Sequence, residues 1–237
     1  DLIYLGKNRL IAIEKSRQLK ITWIVLAFIL WRAKFHAHQL IMVQSKKAED
    51  ADALVCKRRG DNVARLCVLE GNLPGFLRSI NFSASGAALK GKLNFPNGSV
   101  IEAIPEGGAK IRPYTPSCIF SDEAAFQPQF GEAYKACLPA VDGGGQAIFV
   151  SSAQVSAFQD VVGAKDEFTS KKFMLSDQIE GAEREGLTTR ISETSDIFVC
   201  RLHYTADADK NPSTQKGKSW FTSALNGYPG GQEGAGW

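Results

Sequence analysis

The sequence lacks the spacing that a cysteine-built fold needs. Its five cysteines, Cys56, Cys67, Cys118, Cys137 and Cys200, lie far apart, are odd in number and include no Cys-x-x-Cys pair. That argues against a disulfide framework and against a zinc site, and it suits a reducing compartment. No visible base partners a cysteine nucleophile. Histidine is scarce, and His36 and His38 have no neighbouring cysteine or acidic residue to complete a metal site. The longest apolar run, Ile21–Trp31, falls short of the roughly 20 residues that span a bilayer. It is internal, with no small-residue cleavage site after it, so it is not a signal peptide either. Charge of one sign is also missing. A net charge of +3 permits a nucleic-acid surface without demanding one. The basic clusters Lys57-Arg58-Arg59 and Lys171-Lys172 read first as solvated faces. Repeats are absent, and the only low-complexity tract is the glycine-rich C-terminus.

What is present is an ordinary globular composition, 44% hydrophobic and 22% charged over 237 residues. This length suits one large α/β domain, which buries enough surface to need no staple. Apolar runs at Leu10–Ile13, Leu40–Val43, Ser117–Ser121, Ala147–Val150 and Ile197–His203 predict buried strands. Between them, Ile21–Lys34 predicts a helix apolar on nearly all faces and hence buried. Further helices are expected from Ser45 to about Lys57, over Asp61–Leu69 and over Pro128–Ala140. Asn97-Gly98 between Leu89–Phe95 and Ser99–Ile104 signals a hairpin. Asp207–Lys218 reads as a polar loop. Alternating strands and helices imply a mainly parallel sheet in a three-layer α/β fold, with ligands at the carboxyl ends of the strands. Both chain ends look like cuts, with residues 1–220 expected as one domain and residues 221–237 as a glycine-rich linker.

Two segments carry chemistry. Ser121-Asp122-Glu123 ends a buried strand, where an acidic pair is costly unless it holds a cation or a water. This is the Walker B pattern of P-loop ATPases, in which the Asp helps hold Mg²⁺ and the Glu polarises the attacking water. An N-cap on a following helix is the competing role for Asp122. The second segment, Lys15-Ser16-Arg17-Gln18-Leu19-Lys20-Ile21-Thr22, joins a strand to a helix, where a phosphate cradle belongs. It departs from Walker A, G-x-x-x-x-G-K-[ST]. Thr22 keeps the hydroxyl, but Ile21 stands at the lysine position and Lys20 at the glycine position. A plain basic turn remains the alternative.

Ser16-Arg17-Gln18-Leu19 ahead of a threonine resembles the variant Walker A of the large terminase subunits of tailed phages. Asp122-Glu123-Ala124-Ala125-Phe126 resembles that family's Walker B ending. Asn97-Gly98-Ser99 with Ile101 and Ile104-Pro105 resembles the hairpin before it, and Gln44-Ser45-Lys46 through Ala48 the segment after the second strand. Gly144-Gly145 followed by a strand and Ser151-Ser152-Ala153 resembles the coupling motif. The resemblance covers about Leu10 to Ala153, more loosely to His203-Tyr204.

It implies an ATPase motor domain with a P-loop fold of the additional-strand type, using ATP and Mg²⁺, with the nuclease domain beyond the linker. Thr22 and Asp122 would hold the metal, Glu123 would be the catalytic carboxylate, and residues 15–22 would cradle the phosphates. Ser151, Ser152 and Ala153 would couple hydrolysis to movement. Arg112 would be a finger acting on a neighbouring subunit, its alternative being a surface arginine. Implied partners are double-stranded DNA, the portal and the small terminase subunit, with a homo-oligomeric ring during packaging in the host cytoplasm. The isolated domain would be a monomer. Lys15 or Lys20 would replace the lysine missing at Ile21 by reaching the phosphates along another path. A helicase-like ATPase and a non-catalytic protein with a decayed site are the rival readings. His203-Tyr204 reads as packing, and Trp23 and Trp31 as core anchors.

Overall fold

A computed structural model describes residues 8–61, 63–163, 187–191 and 197–227. Lys171-Lys172 and residues 228–237 of the expected linker lie outside the described residues.

The described strands form one nine-stranded sheet in the order β3-β4-β5-β2-β6-β7-β1-β9-β8. Its centre comprises β5 (Val100–Ile104), β2 (Leu40–Gln44), β6 (Cys118–Asp122), β7 (Gln146–Ser151), β1 (Leu10–Lys15) and β9 (Ile197–Leu202). Each is parallel to its neighbour in this run. Antiparallel strands close the edges: β3 (Ala88–Leu89) and β4 (Lys92–Asn94) on one side, β8 (Leu187–Ile191) on the other. Helices join β1 to β2 and β6 to β7, and a loop without a helix joins β5 to β6; such crossovers keep the central strands parallel, and the antiparallel pairs lie at the edges.

The strands β6 and β7 are buried at every position. Two cores explain why. Ile11 and Ile13 of β1, with Phe120 and Ile148, pack into one cluster with α1 (Ile21–Phe35), α2 (Ala48–Val55) and α3 (Arg65–Gly71). Leu10 and Ala12, with Ile119 and Phe149, pack on the opposite face with α4 (Phe130–Asp142) and α5 (Ala157–Gly163). A sheet covered on both faces calls for near-continuous apolar strands, as these are. The expected three-layer α/β fold with a mainly parallel sheet is present.

Several expectations need correction. α1 is not buried all round: Val25, Leu26, Ile29 and Ala33 face the core, while Trp31 is 48% and Phe35 60% exposed. Its apolar outer face signalled burial that the three layers do not provide. The helix expected from Asp61 begins at Arg65. Asp61 instead accepts hydrogen bonds from the backbone N–H of Lys57, Val63 and Ala64, fixing the turn that leads into α3. The expected polar loop Asp207–Lys218 gives way at Gln215 to α6 (Gln215–Gly227).

The Asn97-Gly98 turn does two jobs. It joins β4 to β5, and the Asn97 side-chain amide donates to the carbonyls of Ala33, Lys34 and His36 at 2.9–3.2 Å, satisfying the C-terminal end of α1. Gly98 has φ of 80°, and a Cβ there would fall 2.6 Å from His38 Nδ1, so only glycine fits. Among the described residues no helix is long and apolar enough to cross a membrane.

Candidate functional site

The carboxyl ends of the parallel strands bring Lys15, Gln44, Asp122 and Ser151 to one edge of the sheet. Residues 16–20 leave β1 there and enter α1. Without glycine, the loop still takes left-handed backbone at Gln18 (φ 64°) and Lys20 (φ 57°). Lys20 thus adopts, at the glycine position of Walker A, the conformation that glycine serves most cheaply. Its carbonyl accepts the first helical N–H, from Trp23 at 3.0 Å.

Thr22, in the first turn of α1, donates from its hydroxyl to Asp122 Oδ1 at 2.9 Å. Both side chains are buried. Asp122 therefore does not cap a helix; a short 3₁₀ turn, Ala124–Phe126, follows it with no side-chain cap. Burial pushes the Asp122 carboxyl up to about 6, and the adjacent Glu123 charge pushes the same way. The Thr22 hydrogen bond, Lys15 and Arg65 pull it back. Glu123 sits in left-handed backbone (φ 53°), which turns its side chain, about a third exposed, toward Lys15 Nζ at 4.0 Å. Gln127 braces the strand end, donating to Ser121 Oγ and the Asp122 carbonyl. Ser151 Oγ accepts from the Ala125 N–H at 3.1 Å, so β7 holds the turn that carries Glu123.

An open cleft of about 1160 Å³ lies over these groups. Lys15, Gln18, Lys20, Ile21, Thr22, Asp122 and Glu123 all line it. A smaller adjoining hollow is lined by Lys15, Arg17, Gln18, Glu123 and Ser152. Ser16 is tied to β9 through its N–H to the Leu202 carbonyl, and neither Ser16 nor Leu19 lines the cleft or the hollow. Ala153 is exposed. Arg112 is also outside the cleft: it is exposed and paired with Glu132 at 2.6 Å. A hydroxyl beside a carboxylate is a hard-oxygen donor set that suits a Mg²⁺ ion, and a buried carboxylate with a raised pKa gains from such a cation.

Among the cleft residues that sequence inspection missed, three stand out. Arg65, at the start of α3, places its guanidinium 4.0 Å from Asp122 Oδ2 and over the Trp23 ring. Lys210 and Trp220 enter from the C-terminal segment. None belongs to a local motif; Arg65 and Lys210 differ from any other basic residue only in where the chain brings them. Trp23 lines the cleft and Trp31 is half-exposed, so neither is the core anchor expected. Tyr204 does pack, with its ring against Trp220 and Phe221 of α6. Cys56 and Cys67, eleven apart in sequence, meet at Asp61 with their ligand atoms within 4.8 Å of one another, a metal-capable cluster that the spacing did not suggest. Burial raises both thiols.

A loop leading from a strand into a helix, a hydroxyl bonded to an acidic strand end, and β7 inserted between β1 and β6 fit an α/β fold of the P-loop type with an additional strand. No protein-family model matches the chain, and no curated protein matches it by sequence. Solved structures do. The large terminase ATPase domain of Thermus phage P74-26, in a point-mutant form, superposes with a TM-score of 0.56 at 12% identity, over 96% of this chain and 87% of that one. The large terminase of a thermophilic bacteriophage, in complex with ADP, gives 0.54 at 15% identity over 93% of this chain. Another crystal form of that same phage protein gives 0.51 at 16%. This chain spans 46% of the thermophilic-phage protein. The fold is that of a large-terminase ATPase domain.

Proposed function

We propose that this chain is the ATP-hydrolysing motor domain of a terminase large subunit, which drives double-stranded DNA into a phage capsid in the host cytoplasm. The observation that carries the proposal is the Thr22–Asp122 hydrogen bond beside Glu123, at the mouth of the loop that precedes α1. The thermophilic-phage terminase was solved with ADP, which supports a nucleotide in the equivalent cleft.

Within residues 15–22, Lys15, Arg17, Gln18, Lys20, Ile21 and Thr22 line the space that takes the triphosphate, at the N-terminus of α1 where backbone N–H groups favour its anionic oxygens, while Ser16 anchors the loop to β9. Thr22 and Asp122 would hold Mg²⁺, which would supply charge neutralisation to the phosphates. Glu123 orients a water and accepts its proton as the water oxygen bonds to the γ-phosphorus in line with the breaking bond to the β–γ bridging oxygen. ADP and inorganic phosphate leave. Lys15, in contact range of Glu123 and lining both hollows, takes the place of the lysine missing at Ile21. Lys20 is exposed at the rim and contributes less. Ser152 faces the hollow beside Glu123 and Ser151 grips the turn behind it, so loss of the γ-phosphate is transmitted to β7 and on through Ala153. Arg112, outside its own cleft, serves a neighbouring subunit in a ring. The ring docks on the portal, with the small terminase subunit delivering DNA, and grips mainly phosphates, so DNA binding weakens steeply with salt.

The test is Mg²⁺-dependent ATP hydrolysis by the chain at high protein concentration beside Glu123→Gln. Turnover that the variant abolishes supports the motor reading. ATP bound but not hydrolysed by the wild type points to a missing neighbour. No binding refutes the reading and favours a non-catalytic protein with a decayed site.

A further inference from the structure

Lys210 is a lysine that the proposed hydrolysis leaves unused, and it is buried at the edge of the cleft. Lysine is almost never buried without partners. The Lys210 ammonium has three: the carbonyls of Arg17 and Gln18, each at 3.3 Å, and Asp207 Oδ2 at 3.6 Å. The Trp220 ring lies 5.7 Å from the same nitrogen. Two of these contacts are carbonyls of the phosphate loop, almost 200 residues away in sequence. All are long for a charged donor, which settles at roughly 2.7–2.9 Å when it is fully engaged. The ammonium is therefore held loosely on the loop, beside the space that Lys15, Thr22 and Asp122 also line.

We propose that Lys210 is a phosphate-binding lysine supplied from outside the loop. It steadies the loop by its carbonyls and turns its charge to the β- and γ-phosphates of a bound nucleoside triphosphate. This rests on the nucleotide-binding reading above and deepens it. Ile21 cannot neutralise a phosphate, Lys15 must also offset Glu123, Arg65 lies against Asp122, and Lys20 is exposed at the rim. A second ammonium reaching the loop from the far side answers that shortage.

The position of Lys210 adds a consequence that a lysine within the loop would not have. The turn that carries it packs tightly on α6: a Cβ on Gly217 would fall 1.8 Å from the Asn211 carbonyl. Asn211 in turn donates to the Thr205 carbonyl. When the phosphates draw Lys210 inward, residues 205–220 move with it. Occupancy of the cleft is thereby coupled to the segment through which the chain leaves the sheet.

The test is calorimetric titration of the chain, Lys210→Met and Lys210→Arg with the magnesium complexes of AMP, ADP and ATP. The expected result is a loss in Lys210→Met that grows along the series: little for AMP, several-fold for ADP and at least tenfold for ATP. Lys210→Arg should recover most of the ATP affinity. Lys210→Gln, which keeps a donor for the loop carbonyls, replaces Lys210→Met if the latter does not fold. Equal losses for the three nucleotides would overturn the proposal in favour of a purely structural brace, and so would no loss at all. Wild-type protein that binds none of the three overturns the nucleotide reading, and this proposal with it. Wild-type binding that Lys210→Met leaves intact overturns this proposal alone.

Discussion

Asp122 offers a prediction in which function and stability pull in opposite directions. Its carboxyl is buried, receives one hydrogen bond from Thr22 and has Arg65 only at the edge of contact, while Lys15 pairs with the neighbouring Glu123. Burial lifts it from an ordinary 3.8 to about 6. Because the folded chain holds this proton more tightly than the unfolded one, stability falls as pH rises from about 4 to about 6 and is level above that. Over this span the destabilisation amounts to about 3 kcal/mol, at roughly 1.4 kcal/mol per pH unit. Asp122→Asn keeps the shape and an acceptor for Thr22 but removes the charge. In metal-free buffer with chelator, the variant should match the wild type below pH 4. It should then exceed it progressively up to pH 6 and remain about 3 kcal/mol more stable at pH 7. For a chain of this length that corresponds to a rise in melting temperature of roughly 6–12 °C. Urea denaturation at pH 4, 5, 6 and 7 measures the difference. Magnesium with ATP should then reverse the order, stabilising the wild type and not the variant. A variant less stable than the wild type at pH 7, or a difference independent of pH, would refute the view that Asp122 is a desolvated carboxylate waiting for a cation.

Two further predictions concern residues away from the phosphate loop. Lys34 and Glu70 pair at 2.7 Å with their side chains buried, and Glu70 also accepts the N–H groups of Ser79 and Ile80. Lys34→Met strands that carboxylate and should cost roughly 3–5 kcal/mol in urea denaturation. Adding Glu70→Gln should recover a large part of it; no recovery would mean that packing, not charge, holds the pair. Arg112 and Glu132 are an exposed pair, so Arg112→Ala should change stability by less than about 1 kcal/mol. It should leave ATP affinity of the isolated chain unchanged and, where chains assemble, lower turnover by about 10³-fold or more. Unchanged turnover in the assembled state would make Arg112 an ordinary surface residue.

The sequence made the parallel core legible because its strands are apolar at nearly every position. β1, β2, β6, β7 and β9 fall within a residue or two of their apolar runs. The Asn97-Gly98 hairpin was equally plain, although its role as the cap of α1 needed three dimensions. α6 was invisible as a helix: QKGKSWFTSALNG is polar, carries Gly217 within it and buries no residue except that glycine. Its helical state comes from packing on the 205–211 turn, which local propensity does not encode. In the same way the acidic pair at residues 122–123 was found from its strand, whereas Arg65 and Lys210 reach the cleft from α3 and from beyond β9. No spacing rule links them to it.

The cost of the divergent loop is also visible. Among the described residues, four that are not glycine have positive φ, and three of them, Gln18, Lys20 and Glu123, surround the cleft. Each such conformation costs on the order of 1 kcal/mol or more and persists only where the surroundings hold it. Here the holders can be named. Lys210 takes the carbonyls of Arg17 and Gln18, helix α1 takes that of Lys20, and Ser151 fixes the turn after Glu123. A Walker A glycine would relax the loop without such help. With lysine in its place, the geometry of the loop depends on β9, which holds Ser16, and on the C-terminal segment, while β7 holds the turn beside Glu123. These are the elements that would have to sense the nucleotide if the chain does mechanical work. The substitution that weakens the local motif thus ties the phosphate loop more closely to the rest of the fold.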